Sequence, residues 1–213
     1  MMSLLLLSYC GVPEVEVGLD ADAKSAFVSL PGVIAVKLWA GEQTVQFEIE
    51  RGKLAFVDTV PLPLKEAAED FRENSGAERG LPPQERFVYG QRQLTSPEGS
   101  RLSVIGYSVQ NPDVPAFAII DTPTKTIVAE ISGEPNRRIG MFAWSPDSRM
   151  LAVIESTSES RVAPRAILSG CAGHPVHFQT YYLAIYDRTG KLVTSTRLAT
   201  GLPNSSPQIV WTD

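Results

Sequence analysis
The chain has 213 residues, 43% apolar and 20% charged, with a formal net charge of −5. Its size and composition suit one or two globular domains, each able to bury a core. With 19 Lys plus Arg and no basic run it is not built for the phosphate backbone of nucleic acid, and two cysteines supply neither a disulfide framework nor an all-thiolate zinc site.

Residues 1–32 read as an N-terminal segment. Leu4 to Leu7 is apolar, and Leu7-Ser8-Tyr9-Cys10 looks like a bacterial lipobox, which would make Cys10 a lipidation site and the protein a resident of the cell envelope. No Lys or Arg precedes the run, Tyr9 is bulky, and the run is too short to span a membrane. The competing reading is a buried strand in a cytoplasmic protein. A further strand is expected over Ser25 to Leu30.

Residues 33–90 read as a degenerate first blade with a helical insertion. Val33 to Trp39 is a strand. Val45, Phe47 and Ile49 alternate with Gln46, Glu48 and Glu50, the pattern of a half-exposed strand, and Arg51-Gly52 turns into Lys53 to Val57. Leu64, Ala67, Ala68 and Phe71 then fall on one helical face, predicting one short helix near 64–75. That helix serves either to dock a partner or to cover the chain's own sheet.

Residues 91–138 and 139–205 form two further units. Probing for an internal repeat aligns Leu94 to Ile105 with Ala143 to Ile154 without gaps, since Ser96-Pro97 and Ser145-Pro146 lie 49 apart (145 − 96). Ala118-Ile119-Ile120-Asp121 and Ala184-Ile185-Tyr186-Asp187 lie 66 apart (187 − 121), so the later unit carries an insertion, placed as a loop at 156–179. In Phe142-Ala143-Trp144-Ser145-Pro146-Asp147-Ser148-Arg149-Met150-Leu151-Ala152-Val153-Ile154 an apolar run meets a proline turn. The unbroken apolar run after it suits a strand covered on both faces. This stretch resembles the W-S-P-D-G-x-x-L-A repeat of TolB-type and WD-like β-propellers. Ser148 stands where the family has glycine, which argues against a left-handed corner there. Residues 206–213 would be the first strand of a further blade or a closing strand, and in a closed ring that strand pairs with the N-terminal region.

The expected fold class is therefore mainly β: a propeller-like array of about three antiparallel blades, incomplete or open, closed if at all by a homo-oligomer. No G-x-S-x-G elbow and no Gly-rich phosphate loop occurs. Asp121 and Asp187, repeated at equivalent positions, read as turn caps. Tyr181, Tyr182 and Tyr186 suit a binding rim or simply a strand. The insertion holds Cys171, His174 and His177, spaced three and three, whose side chains are good zinc or copper ligands or a thiol–imidazole pair, though a fourth local ligand is missing. The expected function is a non-catalytic binding or scaffold module with no cofactor. Its partner would be another protein, and the only membrane contact would be a lipid at Cys10. The alternatives are a metal- or thiol-dependent enzyme centred on Cys171, His174 and His177, and a fragment of a larger propeller protein.

Overall fold
A computed structural model of the chain describes residues 2–4, 15–40, 43–56, 87–108, 115–132, 137–161, 176–203 and 207–213. In chain order these hold β1 (Met2–Leu4), β2 (Val15–Val17), α1 (Ala21–Val28), β3 (Val33–Ala40), β4 (Gln43–Glu50), β5 (Lys53–Phe56), β6 (Phe87–Thr95) and β7 (Arg101–Ser108). There follow β8 (Pro115–Asp121), β9 (Thr126–Ser132), β10 (Arg137–Trp144), β11 (Met150–Arg161), β12 (Val176–Asp187), β13 (Leu192–Pro203) and β14 (Gln208–Thr212).

The two corners aligned in the sequence share one pattern of hydrogen bonds. After β10, the Ser145 amide donates to the Met150 carbonyl at 2.9 Å, and the Met150 amide donates back to Ser145 Oγ at 2.9 Å. After β6, the Ser96 amide donates to the Arg101 carbonyl at 2.8 Å, and the Arg101 amide donates to Ser96 Oγ at 3.1 Å. Each corner then bonds to the next hairpin: the Arg188 amide to the Arg149 carbonyl, and the Thr122 amide to the Ser100 carbonyl. A serine that accepts from the far side of its own turn is what sets both corners.

Contrary to the expectation drawn from the missing glycine, Ser148 does adopt a left-handed backbone, with φ 59°, as Gly99 does at 75°. What holds it there is a neighbour. Ser148 is buried, and its Oγ accepts the Glu98 amide of the other corner at 3.0 Å. A glycine could not make that bond.

The strands form three antiparallel sheets: sheet I (β14-β3-β4-β5), sheet II (β6-β7-β8-β9) and sheet III, six strands in the order β1-β2-β13-β12-β11-β10. None closes into a barrel, and the arrangement is consistent with an open propeller-like array. Sheet III is the middle layer. Ala152, Ile154, Leu183 and Ile185 pack with Ile34, Val36, Phe47 and Trp211 of sheet I, and Phe142, Trp144, Leu151 and Val153 pack with Phe117 and Ile119 of sheet II. The run Leu151 to Ile154 is thus covered on both faces, as its lack of alternation requires.

The closing strand pairs with the N-terminal region as anticipated. β14 lies antiparallel to β3, with Ile209 opposite Val36 and Val210 opposite Ala35. The Trp211 indole N–H donates to the Pro31 carbonyl at 2.7 Å.

Two expectations are corrected. Ser25 to Leu30 is not a strand; α1 and its following turn occupy it. Ala23, Phe27 and Leu30, spaced four and three, all enter the core between sheets I and III, which is a helical period. The chain enters that helix from Asp20, whose carboxylate accepts the Arg197 amide at 2.8 Å and whose own amide donates to Thr196 Oγ1 at 2.8 Å. Residues 156–179 are not all loop either. β11 and β12 pair in unbroken register from Met150 opposite Asp187 to Arg161 opposite Val176. Ser156 to Ser160 lacks apolar alternation and so reads as loop, but a backbone ladder needs no apolar side chains when the partner strand buries Phe178, Gln179 and Tyr181. The helix expected near 64–75 lies outside the described residues.

Candidate functional site
The two ends of the stack differ. One end holds the Ser96 and Ser145 corners, the Asp121 and Asp187 turns, Arg51-Gly52 and the α1 connection between β2 and β3. At the other end stop the strands that lead into and out of residues 5–14, 41–42, 57–86, 109–114, 133–136, 162–175 and 204–206. We call this the loop end. Segments of this kind, carried on a rigid sheet, are where recognition residues collect.

The chemistry described at the loop end is a three-strand cluster facing the seam between sheets II and III. Glu155 follows the doubly covered run of β11 and points to the same side as Leu151 and Val153. It is buried, with a fractional exposure of 5%. Arg137 of β10 donates from a guanidinium nitrogen to Glu155 Oε2 at 3.0 Å, and Tyr182 of β12 stands directly opposite Glu155 in the ladder. The guanidinium carbon of Arg137 lies 4.1 Å from the centre of the Tyr182 ring. A carboxylate removed from water needs such a partner, and a cation over an aromatic face is itself attractive. Beneath the cluster, Phe117 of sheet II meets Phe142 and Tyr186 edge-on, with ring centres 5.4 and 5.1 Å apart. Arg137 and Tyr182 are each partly exposed, so the cluster offers solvent a cation and an aromatic edge on a fixed base.

Sequence reasoning missed this cluster, although a signal existed: a charge placed immediately after a doubly covered strand requires a partner. Of the expected rim tyrosines only Tyr182 qualifies. Tyr181 and Tyr186 are core residues.

Cys10, Cys171 and His174 lie outside the described residues. His177 is placed in β12, opposite Ser160. Among the described residues no group of three or more His, Cys, Asp or Glu is arranged to hold a metal ion. Among those residues, too, no helix is long and apolar enough to cross a membrane.

Asp121 and Asp187 sit at the turn end and cap their turns. Asp121 accepts from the Thr124 hydroxyl and from the Thr124 amide at 3.0 Å, and it pairs with Arg101. The Thr124 bonds, with help from Arg101, hold its carboxyl below the ordinary aspartate value. At Asp187, partial desolvation pushes upward but is outweighed by the Thr189 hydroxyl and the Lys191 and Thr189 amides, so this carboxyl too is held low. Groups kept ionised by turn amides are suited to fixing a turn, not to carrying a proton.

No protein-family model matches the chain, and no curated protein matches it. Among solved structures it is similar to hydrazine synthase of Kuenenia stuttgartiensis, with a TM-score of 0.28 and 14% identity over 81% of this chain and 41% of that one. A crystal structure of a eukaryotic initiation factor gives a TM-score of 0.23 and 11% identity over 78% of this chain and 44% of that one. The chain therefore spans less than half the length of either, and likenesses this loose carry no argument about what it does.

Proposed function
We propose that the protein is a non-catalytic binding or scaffold module of the propeller-like kind, similar to TolB-type and WD-like arrays, whose loop end receives another protein. One observation supports this most: connections 57–86 and 162–175 both meet the stack at one end, while the opposite end is made of hydrogen-bonded turns and the connection that carries α1. An array of that shape presents one variable surface on a rigid base. Arg137 over Tyr182 supplies the residue types that dominate protein-recognition hot spots.

The test is site-specific photo-crosslinking in the source cell. Probes at exposed Arg138 and Ser158, near the loop end, should yield one recurrent protein adduct. Probes at exposed Lys125 and Arg149, at the turn end, should not. Equal adducts from both ends would overturn the reading. So would stoichiometric zinc in the purified protein that is lost in Cys171→Ala, which would instead favour the enzyme centred on Cys171, His174 and His177.

A further inference from the structure
On the face of sheet III that looks toward sheet II, apolar rows give way to polar ones toward the loop end. Val153 lies opposite Ala184, and both are buried. Two residues on, Ile139, Glu155 and Tyr182 stand in one row across β10, β11 and β12. The next row is polar throughout. Arg137 lies opposite Thr157, Thr157 lies opposite Thr180, and the Thr180 hydroxyl bonds that of Thr200 in β13 at 2.9 Å. Paired residues of an antiparallel ladder share a face, and neighbouring strands lie about 4.8 Å apart, so the row spans roughly 14 Å. Arg137, Thr157, Thr180, Tyr182 and Thr200 are all partly exposed. The hydrogen-bonding capacity of this face is largely unspent. Glu155 accepts from Arg137 at Oε2, but among the described residues nothing donates to Oε1, although Glu155 is only 5% exposed. Among those residues the Thr157 hydroxyl has no hydrogen bond, and the Thr180–Thr200 pair uses one of its two O–H groups and keeps the other to donate. A carboxylate oxygen held this deep gains from any donor that reaches it.

The charges on this face cancel. Arg137 offsets Glu155, and farther out exposed Arg197, opposite Tyr182, and exposed Glu159, two residues beyond Thr157, are again of opposite sign. A carboxylate brought to the row would meet Glu155, and an ammonium would meet Arg137; either juxtaposition is unfavourable. What fits is a group without net charge that both donates and accepts: the amide of Asn or Gln, or the hydroxyl of Ser or Thr. We propose that the row of Arg137, Thr157, Thr180 and Thr200, with Glu155 and Tyr182 beside it, receives an uncharged segment of the partner rich in such side chains. One of its N–H or O–H groups donates to Glu155 Oε1, while Arg137, bonded to Oε2, fixes the carboxylate. This rests on the reading of the loop end as a protein-recognition surface, and it adds the chemistry of what is recognised there.

The test pans a displayed library of random peptides against the full-length protein. The selected peptides should carry no net charge and be enriched in Asn, Gln, Ser and Thr. Their affinity should change by less than about twofold between about 0.05 M and about 0.5 M salt. Thr157→Val with Thr180→Val keeps the side-chain shape and should weaken the same peptides about tenfold or more. Glu155→Gln should weaken them too, because a Gln whose carbonyl stays with Arg137 presents a donor where the acceptor stood. Should Glu155→Gln fail to fold, the valine pair decides. Ser25→Ala, on exposed α1, should leave binding unchanged. Peptides of marked acidic or basic character would overturn the proposal. So would peptides indifferent to both the valine pair and Glu155→Gln, or a library from which no peptide depends on this row. Any of those results beside a recurrent adduct from the Arg138 and Ser158 probes would sink this proposal and leave the loop-end reading standing. Row-dependent peptides without that adduct would do the reverse.

Discussion

The two repeated corners allow a backbone cost to be separated from a side-chain bond. At Gly99, φ is 75° and a Cβ added there would meet no atom within 4 Å. Gly99→Ala therefore has only the left-handed backbone to contend with, at about 1–2 kcal/mol. Ser148 has the same handedness, so its native corner already carries that cost, offset by the bond from the Glu98 amide. Ser148→Ala keeps the strain and loses the bond, for a net loss of about 1–2 kcal/mol. Ser148→Gly loses the same bond but relieves the strain, less about 0.5 kcal/mol for the extra freedom of glycine when unfolded. The glycine variant should thus be about 1 kcal/mol more stable than the alanine variant and lie close to wild type. Urea unfolding followed by tryptophan fluorescence reads this directly, because Trp144 adjoins the corner and is buried between sheets. Equal midpoints for alanine and glycine at 148, or a neutral Gly99→Ala, would refute the reasoning.

Other outcomes follow from the same geometry. Trp144→Phe removes the indole N–H that donates to the Leu94 carbonyl at 3.2 Å and leaves a small void between sheets II and III. The Leu94 carbonyl still accepts from Ser103 Oγ, so the cost should be about 2 kcal/mol by urea midpoint, and no change would show that the indole does not bridge the sheets. Gly190→Ala should be far worse than Gly99→Ala by the same assay, because its Cβ would lie 2.3 Å from Ala129 Cβ at a φ of 86°; equal costs would count against this packing. Arg137→Met leaves the Glu155 carboxylate buried without its cation, at about 2–3 kcal/mol near pH 7 after allowing for the partial exposure of the arginine. Adding Glu155→Gln should restore part of that loss, and strictly additive losses would refute the pairing. Asp187 is held below the unfolded value of about 3.9, so its contribution is complete above that pH and disappears as pH falls through its lower native value. Wild type should therefore lose stability more steeply below about pH 4 than Asp187→Asn does, and parallel acid-unfolding profiles would contradict the turn-cap role.

What could be read from the sequence was local. The Ser-Pro corners, the 49-residue offset and the strands flanking them depend on turn chemistry within a few residues, and each recurs in the bonding of Ser96 and Ser145. The doubly covered run Leu151 to Ile154 announced its own burial, because a strand with one wet face must alternate. Errors arose where distant partners decide. Ser25 to Leu30 has the composition of a short strand until Phe27 and Leu30 are seen to share one core with sheets I and III. Ser156 to Arg161 is polar enough for a loop until β12 is laid beside it. Glu155 and Arg137 are eighteen residues apart in the chain and meet only because β10 and β11 are neighbours.

The sequence by itself determined that this is a mainly β protein with a repeated corner and strands of known burial, since those properties are set by neighbours along the chain. Tertiary structure alone decided that the sheet built on β10 to β13 lies in the middle of the stack. β14 returns from it to β3, and the apolar faces of β11 and β12 can be dry on both sides only if sheets I and II flank them. The same burial requirement carries Glu155 into the seam with Arg137.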